Sequence, residues 1–135
     1  MADMSKSRGA AALAAGALAL AAAAGARAAL TSEAEIAAAP DPVPQLLKSP
    51  DDVARGKALF TGVCGAYCHK MTPGPGDAPY LFGCTWIFGG EDAQLFHTIT
   101  HGAPGTRMVS FKGAIPDADI WRIIAYLKSA STCKR

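Results

Sequence analysis

Apolar residues recur with a helical period near the C-terminal end of the chain. Four of them are spaced i, i+3, i+4 and i+7, namely Ile120, Ile123, Ile124 and Leu127. This spacing places all four side chains on one face of an α-helix. The pattern therefore predicts a helix from about Asp117 to Ser129, starting after Pro116.

A second helix is predicted from its first residues. Ser49 offers a capping hydroxyl, Pro50 suits the first helical position, and two aspartates follow at the positive end of the helix dipole. This helix is expected to reach residue 60 or 61 and to stop at Gly62.

A third helix is predicted over residues 91–100, with two acidic residues at its start and Gly102 past its end. Its apolar positions Leu95, Phe96 and Ile99 fall on one face. No segment shows sustained period-two alternation, so no sheet is expected. The predicted fold is small and all-α, with three main helices and long loops.

The N-terminal residues predict a secretory signal peptide over residues 1–28. Lys6 and Arg8 precede an Ala/Leu/Gly run at 10–24, and an A-x-A signature at 26–28 places cleavage after Ala28. The run is shorter than the roughly 20 residues of a spanning helix. Export to the periplasm is therefore expected, without stable membrane insertion after cleavage. An uncleaved N-terminal membrane anchor is the alternative.

The prolines at 40, 42 and 44 predict an extended linker or arm over residues 29–48, before a domain at 49–135. Cleavage would remove three basic residues and one acidic residue, so the formal net charge of +2 would fall to about zero. No basic face is left to indicate a nucleic-acid partner.

The candidate chemistry lies in Cys64-Gly65-Ala66-Tyr67-Cys68-His69, a C-x-x-x-C-H run. Two thiols followed by an imidazole are typical of covalent haem attachment, although the usual spacing is one residue shorter. Each thiol would add across one vinyl group of the porphyrin. His69 would then lie under the iron as its proximal ligand.

Two other interpretations of these cysteines stay open. Four cysteines in a small exported chain also fit a disulfide framework. A zinc site would join Cys64, Cys68 and His69 to Cys84 or Cys133, but adjacent Cys68 and His69 are unusual zinc ligands. If haem takes the first two cysteines, Cys84 and Cys133 are expected to pair, with free buried thiols as the alternative.

The chain resembles class I cytochromes c over residues 49–129. The resemblance rests on the glycine and aromatic of 56–60, the C-x-x-x-C-H run, the loop at 102–108 and the helix at 120–127. It implies one covalent haem c in a small all-α fold. It also implies that the first and last helices cross at four residues, Gly56, Phe60, Ile123 and Tyr126.

Met108 is the expected sixth iron ligand. It lies in a Gly/Pro loop beyond the predicted middle helix, and residues 105–108 match the G-T-x-M run that supplies this ligand in the resembling family. Met71 lies too close to His69 in sequence to reach the opposite haem face. His97 and His101 have a spacing that suits a metal, but solvent-facing side chains explain them equally well.

The resemblance also implies a haem environment. The carbonyl of Pro79 is expected to accept a hydrogen bond from the second ring nitrogen of His69. Tyr80 and Trp86 are expected near the haem or its propionates, and Phe111 is a further candidate.

His/Met ligation leaves no vacant position at the iron, so the resemblance implies an electron carrier that moves one electron at a time and is not an enzyme. The protein is expected to be a monomer. A narrower resemblance, over 80–86 with Gly89, Gly90, Phe96, Ile99 and Gly102, is to cytochromes that accept electrons from periplasmic quinoprotein (PQQ) alcohol dehydrogenases. A terminal oxidase or another cytochrome would be the acceptor. A five-coordinate haem module for gas binding or sensing and a non-haem, disulfide-stabilised interaction domain are the alternatives.

Overall fold

The computed structural model describes residues 30–133, so the predicted signal peptide and its cleavage site lie outside the described residues. Helices occupy five ranges: α1 at Glu33–Ala38, α2 at Val43–Leu46, α3 at Pro50–Leu59, α4 at Asp92–His101 and α5 at Asp117–Ala130. A π-helical turn, Phe60–Gly65, continues α3. No strand forms within residues 30–133, which confirms the all-α prediction. None of the helices in this range is long and apolar enough to cross a membrane.

The three predicted main helices form at the predicted places. Ser49 caps α3 by accepting a hydrogen bond from the backbone N–H of Asp52. Glu91 and Gln94 form a capping box at the start of α4. The helical path after α3 does not stop at Gly62, however, because the wide π turn carries it on to Gly65.

Helices α3 and α5 cross at Gly56, where the two backbones come into contact. A Cβ atom on Gly56 would lie 2.0 Å from the carbonyl oxygen of Arg122 and 3.1 Å from Cβ of Tyr126. The Phe60 ring also packs on the Tyr126 ring, with centroids 5.7 Å apart, and Ile123 is buried. The predicted crossing of the first and last main helices is confirmed.

Residues 30–48 are not extended throughout, contrary to the prediction. A capping box of Ser32 and Glu35 starts α1, and a proline in the first turn of α2 is compatible with a helix. Ile36, Val43 and Leu46 are each at most 1 % exposed and belong to the core. Both short helices contact α5, so burial of these three side chains against the domain stabilises them.

An ion-pair network fixes this N-terminal segment to the crossing of α3 and α5. At its centre is Arg122, which is only 2 % exposed. Its guanidinium group lies 2.7 Å from Asp52, 2.9 Å from Asp119 and 2.7 Å from Glu33, and it donates to the backbone carbonyl of Thr31 at 2.9 Å. A buried cation requires such partners, because its desolvation is otherwise costly.

A disulfide joins Cys84 to Cys133, with Cα atoms 5.1 Å apart, which confirms the predicted pair. Thr132 supports it by donating its N–H and its hydroxyl to the carbonyl of Phe82, each at 2.9 Å. The bond closes a sequence separation of 49 residues. In the chain-entropy model a loop of this size stabilises the fold by about 4 kcal/mol.

Candidate functional site

The attachment segment begins at Cys64, inside the π turn, and continues to His69 in hydrogen-bonded turns. The carbonyl of Cys64 accepts the N–H of Cys68 at 3.1 Å and the N–H of His69 at 2.9 Å. Cys64 and Cys68 are both free thiols, the first partly buried and the second exposed. Burial raises the pKa of the Cys64 thiol to about 11, with a smaller contribution from neighbouring Cys68.

His69 is buried, with 6 % of its surface exposed. Its Nδ1 atom lies 2.9 Å from the carbonyl oxygen of Pro79. Because a carbonyl can only accept, Nδ1 carries a proton, and in the neutral ring Nε2 therefore keeps its lone pair. Metal-binding histidines are commonly oriented by such a hydrogen bond.

Met108 is held by a loop that begins where α4 ends. Gly102 turns the chain with a φ of +77°, and a Cβ atom there would lie 2.7 Å from the carbonyl oxygen of Met108. The N–H of Ala103 donates to that carbonyl at 3.1 Å. Thr106 bridges the loop, since its hydroxyl donates to the carbonyl of Ala103 at 2.7 Å and accepts the N–H of Met108 at 3.1 Å.

His69 and Met108 line the same cavity, which has a volume of about 610 Å³. Three other predicted site residues, Cys68, Pro79 and Trp86, also lie in its wall. The volume is within the range of pockets that enclose small-molecule ligands and cofactors.

Four residues that the sequence suggested for the site lie outside the described cavity wall. Cys64 is not among the described residues of the cavity wall and packs against the core. Tyr80 is likewise outside the described wall; it is partly buried and packs on Phe82, with ring centroids 5.6 Å apart, and its place near the haem stays a prediction. Phe111 packs against the core, and the side chain of Met71 is exposed.

His97 and His101 are exposed on the last turns of α4. Their rings stack with centroids 4.1 Å apart, and Nδ1 of His101 lies 3.1 Å from the carbonyl of His97. Neither residue belongs to the described cavity wall. Within residues 30–133, no group of three or more metal-ligating side chains of the His, Cys, Asp or Glu type comes together.

The sequence reasoning missed part of the cavity wall. Leu95, Ile99 and Leu127 line it from α4 and α5, although their helical stripes indicated only a core. Asp77 and Arg107 also line it and form an ion pair of 2.6 Å between two loops. No periodic signal marks loop residues such as these, and only the position of Arg107 beside Met108 pointed to this site.

The zinc and disulfide interpretations of Cys64 and Cys68 do not fit this arrangement of the cysteines. Cys84 and Cys133 bind each other, so neither is available as a fourth ligand beside Cys64, Cys68 and His69. Cys64 and Cys68 are not joined by a disulfide. The free thiols are therefore left beside an oriented imidazole.

A helical fold with a C-x-x-x-C-H segment, an oriented histidine and a methionine at one cavity defines a class I c-type cytochrome domain. The family model described as "Cytochrome C oxidase, cbb3-type, subunit III" matches residues 51–127, and the chain belongs to this family. Searches of the curated proteins and of the solved structures each found no match. Family membership establishes covalently bound haem c, haem-based electron transfer and redox proteins as partners.

The residues of the cavity fit this cofactor. Apolar side chains from α4 and α5 form one wall, the Cys68 thiol is accessible in another, and the lone pair of His69 is fixed on Nε2 by the bond to Pro79. The chain therefore supplies both a thiol for attachment and a nitrogen ligand of defined orientation.

Proposed function

We propose that His69 and Met108 are the two axial ligands of a single haem, and that Cys64 and Cys68 form its thioether bonds. The observation that carries this proposal is the hydrogen bond of 2.9 Å between Nδ1 of His69 and the carbonyl of Pro79, in a cavity that Met108 also lines. A histidine so oriented has only Nε2 left to bind a metal.

The haem, when bound, supplies an iron that gains and loses one electron. The chain controls that iron through its own residues. Pro79 fixes the imidazole ring, and Gly102 and Thr106 hold the loop of Met108. Leu95, Ile99 and Leu127 give the site an apolar wall that excludes water. Thioether ligation and a low-dielectric wall both favour the ferrous state and raise the reduction potential.

The proposed location is the periplasm, following removal of residues 1–28, with a retained N-terminal anchor as the alternative. The proposed donor is a PQQ-dependent alcohol dehydrogenase, supported by the resemblance over 80–86 and the glycines that follow. A terminal oxidase or another cytochrome would accept the electron. The family's description as a subunit of a cytochrome oxidase favours the oxidase. Electron-transfer contacts of this kind are small and transient, so a strong complex with either partner is not expected. The protein itself is proposed to be a monomer.

The ligation is tested on protein exported from a bacterial host that attaches haem to cysteines. Intact mass is measured after denaturation, together with reduced and oxidised absorption spectra. One haem that survives denaturation, with a low-spin spectrum in both states, is expected. A five-coordinate ferrous spectrum with fast carbon monoxide binding would instead indicate the gas-binding alternative. A colourless protein would contradict haem attachment altogether.

The proposed partner is tested separately, by mixing the oxidised protein with a purified quinoprotein alcohol dehydrogenase and its alcohol. Reduction of the haem that requires both components is expected. Absence of reduction, in a protein shown to carry low-spin haem, would contradict the donor and leave the ligation intact.

A further inference from the structure

The attachment segment contains one residue more than the usual C-x-x-C-H run, and the structure shows wide helical turns around it. The π turn of Phe60–Gly65 includes Cys64. Beyond it, the N–H of His69 bonds to the carbonyl of Cys64, five residues back, at 2.9 Å. The same carbonyl also accepts the N–H of Cys68, four residues on, at 3.1 Å. It is therefore shared between an α-type bond, which closes on the fourth residue, and the shorter π-type bond, which closes on the fifth.

The number of spacer residues determines the angle around the helix axis between Cys64 and His69. Each residue of an α-helix turns by about 100°, so the fourth residue after a cysteine lies about 40° from it and the fifth about 140°. On an α-helix, a third spacer residue would therefore swing His69 to the other side of the segment from Cys64. A turn closed by a bond to the fifth residue brings His69 back to the side of Cys64.

We infer that the wide turn between Cys64 and His69 absorbs the third spacer residue, so that the segment presents its histidine as a C-x-x-C-H segment would. The inference rests on the proposed function of these residues. It assigns the bond between the carbonyl of Cys64 and the N–H of His69 a positioning role. His69 remains the residue that binds the iron.

The exposure of the spacer supports this assignment. Ala66 is exposed, and Tyr67 is 86 % exposed. The side chain of His69, by contrast, is buried and bonded to Pro79. Tyr67 also borders the cavity, whereas Ala66 does not belong to the described cavity wall. Removing Ala66 should therefore cost little burial while the histidine keeps its place.

The test compares three variants of the full exported chain. Deletion of Ala66 restores two spacer residues and lets the turn close as an α-helical one. An extra alanine inserted after Ala66 gives four spacer residues, which a turn closed at the fifth residue no longer accommodates. An extra alanine inserted after Gly74, in an exposed loop where a side chain would meet no atom within 4 Å, is the matched control for lengthening the chain.

The readout is the spectrum of the haem-loaded fraction of each variant, because attachment yield also depends on the host machinery. The deletion and the Gly74 insertion should retain the wild-type low-spin spectrum and the ferric charge-transfer band of thioether ligation. The Ala66 insertion should lose the low-spin spectrum through loss of His69 from the iron, or carry no haem.

Either of two results would overturn the inference. One is a deletion variant that carries haem but has lost histidine ligation. The other is an Ala66 insertion variant whose spectrum matches wild type. A wild-type protein that itself carries no covalent haem would instead refute the proposed function, so the two failures are distinguishable.

Discussion

Gly56 is the residue at which the packing of the two main helices is tightest. Because a Cβ atom there would lie 2.0 Å from a backbone oxygen of α5, the helices must separate to accept even one methyl group. We predict that Gly56→Ala destabilises the folded protein by about 3 kcal/mol or more, as overpacking of a rigid contact does. Denaturant unfolding followed by circular dichroism measures the change.

Gly62 provides the matched control, since a Cβ atom there would have no heavy atom within 4 Å. Gly62→Ala should leave stability unchanged or raise it by up to about 1 kcal/mol, because alanine favours helical backbone more than glycine does. Equal effects of the two substitutions would show that the close approach of α3 and α5 does not limit the size of the side chain at residue 56.

A second prediction for a single residue concerns Met108. Met108→Ala should leave the haem attached, open the sixth coordination position and lower the reduction potential. Axial ligands control a range of about 0.8 V, and we expect a decrease on the order of 0.1 V or more. Redox titration and carbon monoxide binding measure these effects.

Met71→Ala is the control for Met108, because Met71 is exposed and lies outside the described cavity wall. It should keep both the wild-type potential and the slow binding of external ligands. If Met71→Ala opened the sixth position and Met108→Ala did not, the ligand assignment would be wrong.

At the scale of elements, local signals predicted the main helices well. The caps of α3 and α4 and the apolar stripe of α5 are properties of neighbouring residues, and each helix forms within one or two residues of its predicted bounds. The short helices α1 and α2 were missed because their formation depends on burying Ile36, Val43 and Leu46 against distant α5. Sequence spacing alone does not reveal that contact.

At the candidate site, too, features with a local sequence signal were predicted and others were not. The bond between His69 and Pro79 was predicted and is observed, and His69 and Met108 line one cavity. The motifs that identify these residues are short and continuous in sequence, and the roles of His69 and Met108 as iron ligands stay predictions. The wide turn was not, since an α turn and a π turn differ in their hydrogen bonds and not in their apolar pattern. Tyr80 follows Pro79 directly, but its ring packs on Phe82 outside the described cavity wall, and its place near the haem stays a prediction. Neighbouring loop residues can face different ways.

The ion-pair network between α3, α5 and the N-terminal segment predicts a dependence of stability on pH. Hydrogen bonds from Arg55 lower the pKa of Asp119. For Asp52, burial acts to raise the pKa, but hydrogen bonds from Thr31 and Arg122 outweigh it and lower the pKa. Carboxyl groups with a lowered folded pKa stabilise the fold above their unfolded value of about 3.9 and lose that contribution as the pH falls through the folded value. Stability should therefore decrease below about pH 4.

Asp119→Asn tests this assignment. Asp119 lies 2.7 Å from Arg55 and 2.9 Å from Arg122, and Arg55 is about half exposed, so we expect a loss of about 2 kcal/mol at neutral pH. The variant should also lose less stability than wild type between pH 5 and pH 3, measured by denaturant unfolding. Asp117→Asn, at an exposed position of the same helix, should follow the wild-type curve. A parallel decline in the Asp119 variant would exclude Asp119 as a cause of the pH dependence.

At the scale of the whole molecule, the cofactor site occupies the space between α4, α5 and the loops that carry His69 and Met108. Leu95, Ile99 and Leu127 line this space, and without a haem their apolar side chains would face water instead of the cofactor. A domain of this size has a net stability of only about 5–15 kcal/mol, so the loss of this burial is large in comparison. The disulfide contributes about 4 kcal/mol, but it buries none of this apolar surface.

We therefore predict that the chain without haem lacks a cooperatively folded core. A variant with both Cys64→Ala and Cys68→Ala, purified free of haem, should show weak near-ultraviolet circular dichroism and a broad, non-cooperative thermal transition. Its disulfide between Cys84 and Cys133 should be verified by mass, so that loss of the bond does not explain the result. A sharp transition with native near-ultraviolet signals would contradict the prediction, because the helices would then pack without the cofactor. The covalent haem would in that case serve electron transfer alone, and the crossing of α3 and α5 with its ion-pair network would be sufficient to hold the fold.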